Sequence, residues 1–183
     1  PSNAGVDASD LTAIGVASAM EVVAGRLGKP LSACTVALQG LGEVGGRLAE
    51  KLAGKGVSLI VTDTVRGRSE AVVRSTGAKA VSPGEILAVE CDLYSPCAAA
   101  IVGAANNPLA APQVGEALAR RSVLYAPDFV VNAGGLLSVL FETGALDEAG
   151  IVLRVERIGA DLALLLERAE SEGVPPFTVA DRI

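Results

Sequence analysis

Short apolar runs alternate with amphipathic segments along most of the chain. The runs at 35–38 and 58–62 are mainly apolar and predict buried strands, whereas 9–28 and 43–55 repeat apolar residues at a helical period. Strands that are apolar throughout and alternate with helices are typical of a parallel sheet covered on both faces. The pattern therefore predicts an α/β fold of the Rossmann type, a doubly wound, mostly parallel sheet with helices on both faces.

The alternation continues to the end of the chain, and we expect residues 1–183 to form a single domain. Ser9 or Asp10 is the expected cap of the first helix. Further predicted elements are a polar helix around 69–75, a strand at 79–81, a helix from Ser82-Pro83 to Glu90, strands at 91–94, 101–105 and 123–125, and a long amphipathic carboxyl-terminal helix at 147–173.

Composition excludes several classes of function. The chain has 15 basic and 21 acidic residues and a formal net charge of −6, which argues against nucleic-acid binding because no surplus of cations faces the phosphates. It contains no histidine, which excludes Ser-His-Asp and Cys-His triads and any imidazole metal site. Three cysteines without a close pair give neither a disulfide framework nor a four-cysteine zinc site. We therefore expect no metal and reduced thiols in a cytoplasmic protein.

The ends and the hydropathy of the chain add two expectations. No uninterrupted apolar run has the length of a membrane span and no signal peptide opens the chain, so we expect no membrane partner. The chain begins with Pro1, and its only methionine, Met20, lies inside a predicted helix. We therefore expect that something upstream of Pro1 is absent from this sequence.

A glycine-rich segment, Gly40-Leu41-Gly42-Glu43-Val44-Gly45, follows the first strand and opens the next helix. In a dinucleotide site, Gly40 would permit the tight turn, Gly42 would let the backbone approach a pyrophosphate, and Gly45 would allow close helix–strand packing. Asp63 ends the next strand, 18 positions after Gly45, where a carboxylate accepts the ribose hydroxyls and repels a 2′-phosphate. The segment predicts an NAD site in preference to NADP; the alternative is a structural turn with an incidental aspartate.

Four motifs in fixed order carry a resemblance to a known family. They are QGLGEVG at 39–45, CDLYSPCA at 91–98, ANN at 105–107 and YAPDFVVNAGG at 125–135. With them the chain resembles, over nearly its whole length, the cofactor domain of the Glu/Leu/Phe/Val amino acid dehydrogenases, closest to the leucine, phenylalanine and valine branch. The resemblance implies NAD-dependent oxidative deamination of an apolar L-amino acid to a 2-oxo acid and ammonia. It also implies a homo-oligomer in the full-length form.

The resemblance further implies the roles of individual residues. Thr12 would face the nicotinamide carboxamide, Asn106 and Asn107 would lie beside the nicotinamide ribose, and Asn132 would reach nicotinamide or substrate. The predicted cofactor-binding residues are Thr12, Gly40, Gly42, Glu43, Val44, Gly45, Asp63, Thr64, Cys97, Ala98, Ala105, Asn106, Asn107 and Asn132. Leu136 and Val139, one helical turn apart, would line the substrate side-chain pocket.

Plainer interpretations of the same residues stay open. Asn106 and Asn132 also suit caps of turns at strand ends, and Leu136 and Val139 suit ordinary core packing. Cys97 lacks any histidine to activate it, so we expect a small packed residue there and not a nucleophile.

The chain departs from the family in its catalytic groups. The family's carboxylate-binding lysine and its general-base lysine belong to an amino-terminal domain that this chain lacks, and Lys29, Lys51, Lys55 and Lys79 match no family motif. We therefore expect no catalytic residue in this chain, which would bind cofactor but be inactive by itself. The alternative is a non-catalytic NAD-binding module whose ligand state a partner reads.

A second departure lies between the strands predicted at 91–94 and 101–105. Adjacent parallel strands need a crossover of a dozen or more residues, and the family has a helix there, but only Ala98-Ala99-Ala100 lie between Cys97 and Ile101. Either residues are missing at this point or the two strands are not parallel neighbours. We favour a break, because the motifs on both sides match the family.

Overall fold

Helices and strands alternate along the chain in a computed structural model that describes residues 7–93, 100–104, 109, 111–121 and 123–182. The helices are α1 (Ala8–Arg26), α2 (Glu43–Gly54), α3 (Arg66–Thr76), α4 (Pro112–Arg120), α5 (Asp128–Val131), α6 (Gly134–Glu142), α7 (Glu148–Glu172) and α8 (Pro176–Ala180). The strands are β1 (Thr35–Gln39), β2 (Ser58–Thr62), β3 (Lys79–Ala80), β4 (Ala100–Ile101) and β5 (Leu124–Tyr125).

The strands form a parallel arrangement whose order reverses beside β1. β1 pairs with β2 in parallel, β2 with β3, and β4 with β5. Leu93 makes parallel bridges to Val36 in β1 and to Ala100 in β4, and so joins the two groups. The order β3-β2-β1-Leu93-β4-β5 confirms the predicted Rossmann-type sheet. It also places a switch point at the carboxyl end of β1, where open α/β sheets bind ligands.

The centre of the sheet is buried on both faces. Val36, Ala37 and Leu38 follow one another in β1 and are all at most 7% exposed, although successive side chains of a strand point to opposite faces. Helix α1 packs against α2, α6 and α7, and it is buried over most of its circumference. This double coverage explains why the apolar runs do not alternate with polar residues.

Helix α1 is long enough and apolar enough to cross a membrane, judged by length and composition alone. It has 19 residues, with a mean hydropathy of 1.2 over its best window of 18 residues, and 56% of that window is buried inside the protein. A core helix of a soluble protein passes the same test. The contacts of α1 with three other helices account for its apolar character.

Several predicted boundaries need correction. Asp7, and not Ser9 or Asp10, caps α1, because its carboxylate accepts the Ser9 N–H at 2.8 Å. The helix predicted from Ser82 to Glu90 is wrong, since the segment forms only a 3-10 turn at Ile86–Ala88. The Glu85 carboxylate accepts the Ser82 N–H at 2.8 Å, but Val89 is already extended and leads the chain towards Leu93.

The predicted strands around the CDLYSPCA motif are shorter than expected. Within the described residues, the segment 91–94 contributes only the bridge at Leu93, and the segment 101–105 is reduced to β4. Leu93 and Ala100 form a parallel bridge. The alternative that the two predicted strands are not parallel neighbours is therefore wrong. The connecting residues 94–99 lie outside the described residues, so the break expected there stays a prediction.

Candidate cofactor-binding site

The glycine loop joins β1 to α2 at the switch point of the sheet. Gly40 has a φ of +90°, a conformation that side chains rarely adopt, and its N–H continues the ladder by donating to the Thr62 carbonyl at 2.9 Å. Gly42 caps α2 without any side-chain hydrogen bond, and a Cβ atom there would meet nothing within 4 Å. The loop therefore leaves open space in front of the first N–H groups of α2, where anions bind.

Gly45 has the packing role expected from the sequence. A Cβ atom on Gly45 would lie 1.9 Å from the carbonyl oxygen of Gly40, well inside any permitted contact. The first turn of α2 thus lies directly on the loop that leaves β1. No other residue type fits at this position without moving the helix.

Asp63 lies at the carboxyl end of β2 and is bonded to the glycine loop. Its Oδ2 accepts the Leu41 N–H at 2.6 Å, and its Oδ1 accepts the Val65 N–H at 2.7 Å. These hydrogen bonds hold the pKa of the Asp63 carboxyl below its usual value. Its side chain is 5% exposed, and Nη1 of Arg68 lies 3.8 Å away. A fixed negative charge therefore stands beside the loop.

A cavity of about 320 Å³ lies next to the loop. It extends from the glycine loop and Val44 to the residues that follow β4, namely Val102, Gly103 and Ala104. The carboxyl ends of β1 and β4 thus share one cavity. A larger groove of about 700 Å³ lies between α6 and α7, lined by residues that include Leu137, Leu153 and Arg157, and it does not contain the glycine loop.

Asn132 contacts Ala104, one of the residues that line the cavity beside the glycine loop. It follows α5, and its Nδ2 lies 3.5 Å from the carbonyl oxygen of Ala104, to which it donates. The N-terminal turn of α6, immediately afterwards, packs closely on α1, since a Cβ atom on Gly135 would lie 3.0 Å from Oγ1 of Thr12. Thr12 is 8% exposed and donates to the Ala8 carbonyl at 2.8 Å. The structure thus brings Asn132 to Ala104, and Thr12 to the start of α6.

Comparisons with known proteins address the family. No protein-family model matches the chain. The leucine dehydrogenase of Bacillus subtilis is 34% identical over 192 residues, a match that covers 96% of this chain and 53% of that enzyme. The valine dehydrogenase of Streptomyces virginiae is 38% identical over 207 residues, which covers 100% of this chain and 57% of that enzyme.

A solved structure agrees with these sequence matches. The crystal structure of L-tryptophan dehydrogenase from Nostoc punctiforme has a TM-score of 0.89 with this chain at 32% identity, over 95% of this chain and 57% of that one. By sequence and by fold, the chain is similar to these amino acid dehydrogenases. It spans about half the length of the curated relatives it matches and corresponds to the carboxyl-terminal domain of these dehydrogenases. Its Rossmann-type fold is the fold of that dehydrogenase domain.

Five of the residues predicted from the dehydrogenase resemblance are outside the part of the chain that the structure describes. Cys97, Ala98, Ala105, Asn106 and Asn107 lie outside the described residues. Their assignment to the cofactor stays a prediction.

Glu43, Thr64 and the two predicted pocket residues are all accessible. The Glu43 carboxylate lies 3.2 Å from Nη2 of Arg47, and Thr64 is exposed beside Asp63. Leu136 and Val139 of α6 are 75% and 46% exposed. Ordinary core packing is therefore wrong for these two side chains. Their assignment to a substrate pocket stays a prediction.

Three of the four described lysines form ion pairs elsewhere in this domain. Lys29 pairs with Asp92 at 2.7 Å, Lys51 with Asp10 at 2.9 Å, and Lys55 with Glu21 at 2.7 Å. These three ammonium groups do not line the cavity beside the glycine loop.

Sequence reasoning missed some residues of the candidate site. Met20 and Leu48 line the cavity from α1 and α2, and Gly103 and Ala104 line it after β4. The apolar periodicity of α1 and α2 marks Met20 and Leu48 as buried, but no sequence signal says that they face a cavity. Tyr125 and Asp128 belong to a recognised motif, yet their mutual contact depends on the geometry of the turn.

Proposed function

We propose that this chain is the NAD-binding domain of an NAD-dependent amino acid dehydrogenase. The full enzyme would oxidatively deaminate an apolar L-amino acid to a 2-oxo acid and ammonia. The observation that carries the proposal is the glycine loop at the switch point, with the Asp63 carboxylate bonded to it, in a chain whose relatives include leucine and valine dehydrogenases.

The residues of the loop fit a pyrophosphate. A Cβ atom at Gly42 would occupy open space and not protein, so the loop keeps clear the volume that phosphate oxygens need. The 12-residue helix α2 begins at Glu43 and presents unpaired backbone N–H groups and the positive end of its dipole to this volume. Gly40, Gly42 and the first turn of α2 would hold the pyrophosphate.

The charge beside the loop favours NAD over NADP. The lowered pKa of Asp63 keeps its carboxylate ionised at neutral pH, where it would accept the adenosine ribose hydroxyls and repel a 2′-phosphate. The Arg66 guanidinium is engaged by Glu70 at 2.9 Å. Arg68, 3.8 Å from Asp63, is the nearest cation to that carboxylate.

The other half of the dinucleotide would extend towards Ala104 and Asn132. When bound, NAD supplies a hydride acceptor at its nicotinamide ring. The Asn132 amide would hold the nicotinamide end, and Thr12 at the start of α1 would contact the carboxamide. Leu136 and Val139, exposed on the adjacent helix α6, would provide the apolar wall that the substrate side chain meets.

The proton-transfer groups of the reaction would lie outside this chain. Lys29, Lys51 and Lys55 each form an ion pair away from the cavity, so none of them is positioned as a general base there. By itself the chain would bind cofactor without turning over an amino acid.

Assembly and location are part of the same proposal. Phe129, Leu153 and Leu164 are each more than half exposed, and apolar area of this kind would be covered in a full-length homo-oligomer. The described cysteines Cys34 and Cys91 are thiols and not a disulfide, in keeping with a cytoplasmic protein.

Calorimetric titration of the chain with NAD⁺, NADH and their 2′-phosphorylated forms tests the proposal. We expect one site per chain and tighter binding of the unphosphorylated cofactors. Absence of binding would contradict the cofactor site, and equal affinity for both forms would contradict the assignment of Asp63.

A further inference from the structure

Tyr125 and Asp128 form a polar pair in the turn between β5 and α5. The Tyr125 hydroxyl donates a hydrogen bond to Oδ1 of Asp128 at 2.7 Å, and the Asp128 backbone N–H donates to the phenol oxygen at 3.3 Å. Tyr125 is 5% exposed. Burial, followed by the hydrogen bond to Asp128, raises the pKa of the Tyr125 phenol, so the hydroxyl stays a donor at every pH of interest.

The pair lies between a fixed strand and a one-turn helix. The Ala126 N–H donates to the Ile101 carbonyl at 3.1 Å, which ties the end of β5 to β4. Helix α5 has only four residues, Asp128–Val131, and a helix this short has no stability of its own. Its orientation therefore depends on its packing against α1 and α7, where Val131 is buried, and on the groups that hold its first residue.

Asn132 directly follows this short helix, which sets its position. Its backbone N–H donates to the Asp128 carbonyl at 2.8 Å, so the two residues are one helical turn apart. Its side-chain amide donates to the Ala104 carbonyl at the other end of the cavity, at 3.5 Å. Separate hydrogen bonds thus link Tyr125 to the side chain of Asp128, the Asp128 carbonyl to the Asn132 backbone, and the Asn132 amide to Ala104.

We propose that Tyr125 and Asp128 are positioning residues that fix Asn132 against Ala104 and thereby shape the nicotinamide end of the cofactor site. The inference rests on the proposed function, since it assigns residues to one half of the proposed dinucleotide site. If the pair served only the stability of the turn, its loss would weaken the binding of the nicotinamide and adenine halves of the cofactor equally.

Saturation-transfer difference NMR of the full chain with NAD⁺ separates these roles, because it reports nicotinamide and adenine protons independently. We expect Tyr125→Phe, which removes only the hydroxyl, to lower the nicotinamide signal relative to adenine by about two- to tenfold. Asn132→Ala should give the same pattern. Thr76→Val, which removes a hydroxyl bonded to the Val72 carbonyl in α3, should leave the ratio unchanged.

A second pair of variants distinguishes loss of the hydrogen bond from unfolding of the chain. Asp128→Ala should lose the nicotinamide signal, and Asp128→Asn, which keeps an oxygen to accept the phenol proton, should restore it. An unchanged ratio in Tyr125→Phe and Asp128→Ala would overturn the inference, and so would an adenine signal without any nicotinamide signal in the parent. Failure of the parent to bind NAD⁺ at all would instead overturn the proposed function, and the inference with it.

Discussion

Two glycines of the same loop differ in whether the fold of the protein requires them. Gly42 has open space where a side chain would be, and its φ of −70° is accessible to any residue, so nothing in the protein itself demands glycine there. Gly45 is instead required by the protein, because its Cβ would overlap the Gly40 carbonyl oxygen. The sequence spacing predicts the packing role of Gly45 correctly, whereas the approach of a pyrophosphate to Gly42 stays a prediction.

At Gly42 we predict that Gly42→Val abolishes cofactor binding without unfolding the chain. The valine side chain would occupy the volume that a pyrophosphate needs, and we expect affinity to fall by about tenfold or more. Titration with NADH and thermal unfolding would measure both effects. Gly25→Val, at an α1 position where a Cβ also meets nothing within 4 Å, is the matched control. Undiminished binding by Gly42→Val would show that the loop is only structural.

Asp63 gives a prediction on pH. Its folded pKa is depressed below the ordinary value of 3.8, so its contribution to stability is present above that pH and is lost as pH falls through the folded pKa. Asp63→Asn should therefore lower the unfolding midpoint at pH 5–8, and the difference from the parent should shrink below about pH 3.8. Asp161→Asn, at an exposed position of α7 where the carboxylate lies 3.7 Å from Arg157, is the matched surface control. A difference that is constant down to pH 2 would contradict the hydrogen-bonded carboxylate.

The long helices and the apolar strands could be predicted from the sequence, whereas several short helices could not. Helices α1, α2 and α7 follow apolar residues at a helical period and strands β1 and β2 follow continuous apolar runs, and each lies within one or two residues of its predicted bounds. Helices α4, α5 and α8 were not predicted; α5 and α8 have only four and five residues, too few for a periodic signal. The error at Ser82–Glu90 arose because a good start signal does not require a helix to continue.

The contact between α2 and the loop after β1 gives a prediction at the scale of elements. Gly45→Ala would place a methyl group on the Gly40 carbonyl, so we expect a loss of roughly 1–3 kcal/mol in the free energy of unfolding. Gly46→Ala, one residue later, has its Cβ 3.7 Å from the Leu41 carbonyl and is an ordinary contact. It should gain about 0.5–1 kcal/mol from helix propensity. Denaturant unfolding of both variants measures the contrast, and equal stabilities would refute the close approach.

At the scale of the molecule, the fold class could be predicted from the sequence, but the completeness of the site could not. Apolar strands that alternate with helices predict a parallel sheet, whereas the strand order and the switch point beside β1 come from the structure. The meeting of Asn132 with Ala104 depends on the turn after β5, which no periodicity specifies. The match to the valine dehydrogenase extends over 207 residues, 24 more than the 183 of this chain.

We predict that the purified chain does not reduce NAD⁺ in the presence of leucine, valine or phenylalanine. Positioned proton transfer supplies about 10²–10⁴ in rate, and three of its lysines are held in ion pairs away from the cavity. Absorbance at the NADH band measures the reaction, with a full-length relative as the positive control. Steady turnover by this chain alone would mean that the catalytic groups lie within it.

The location of the cofactor is the central claim, and amide chemical-shift mapping tests it most directly. On addition of NAD⁺ to the isotope-labelled chain, we expect the largest chemical-shift changes at the N–H groups of residues 40–45 and of Val65. Leu41, within that range, and Val65 are the two residues whose N–H groups donate to Asp63. Smaller shifts should follow at Ala104 and Asn132. Shifts confined to the groove between α6 and α7, with the glycine loop unchanged, would contradict the account.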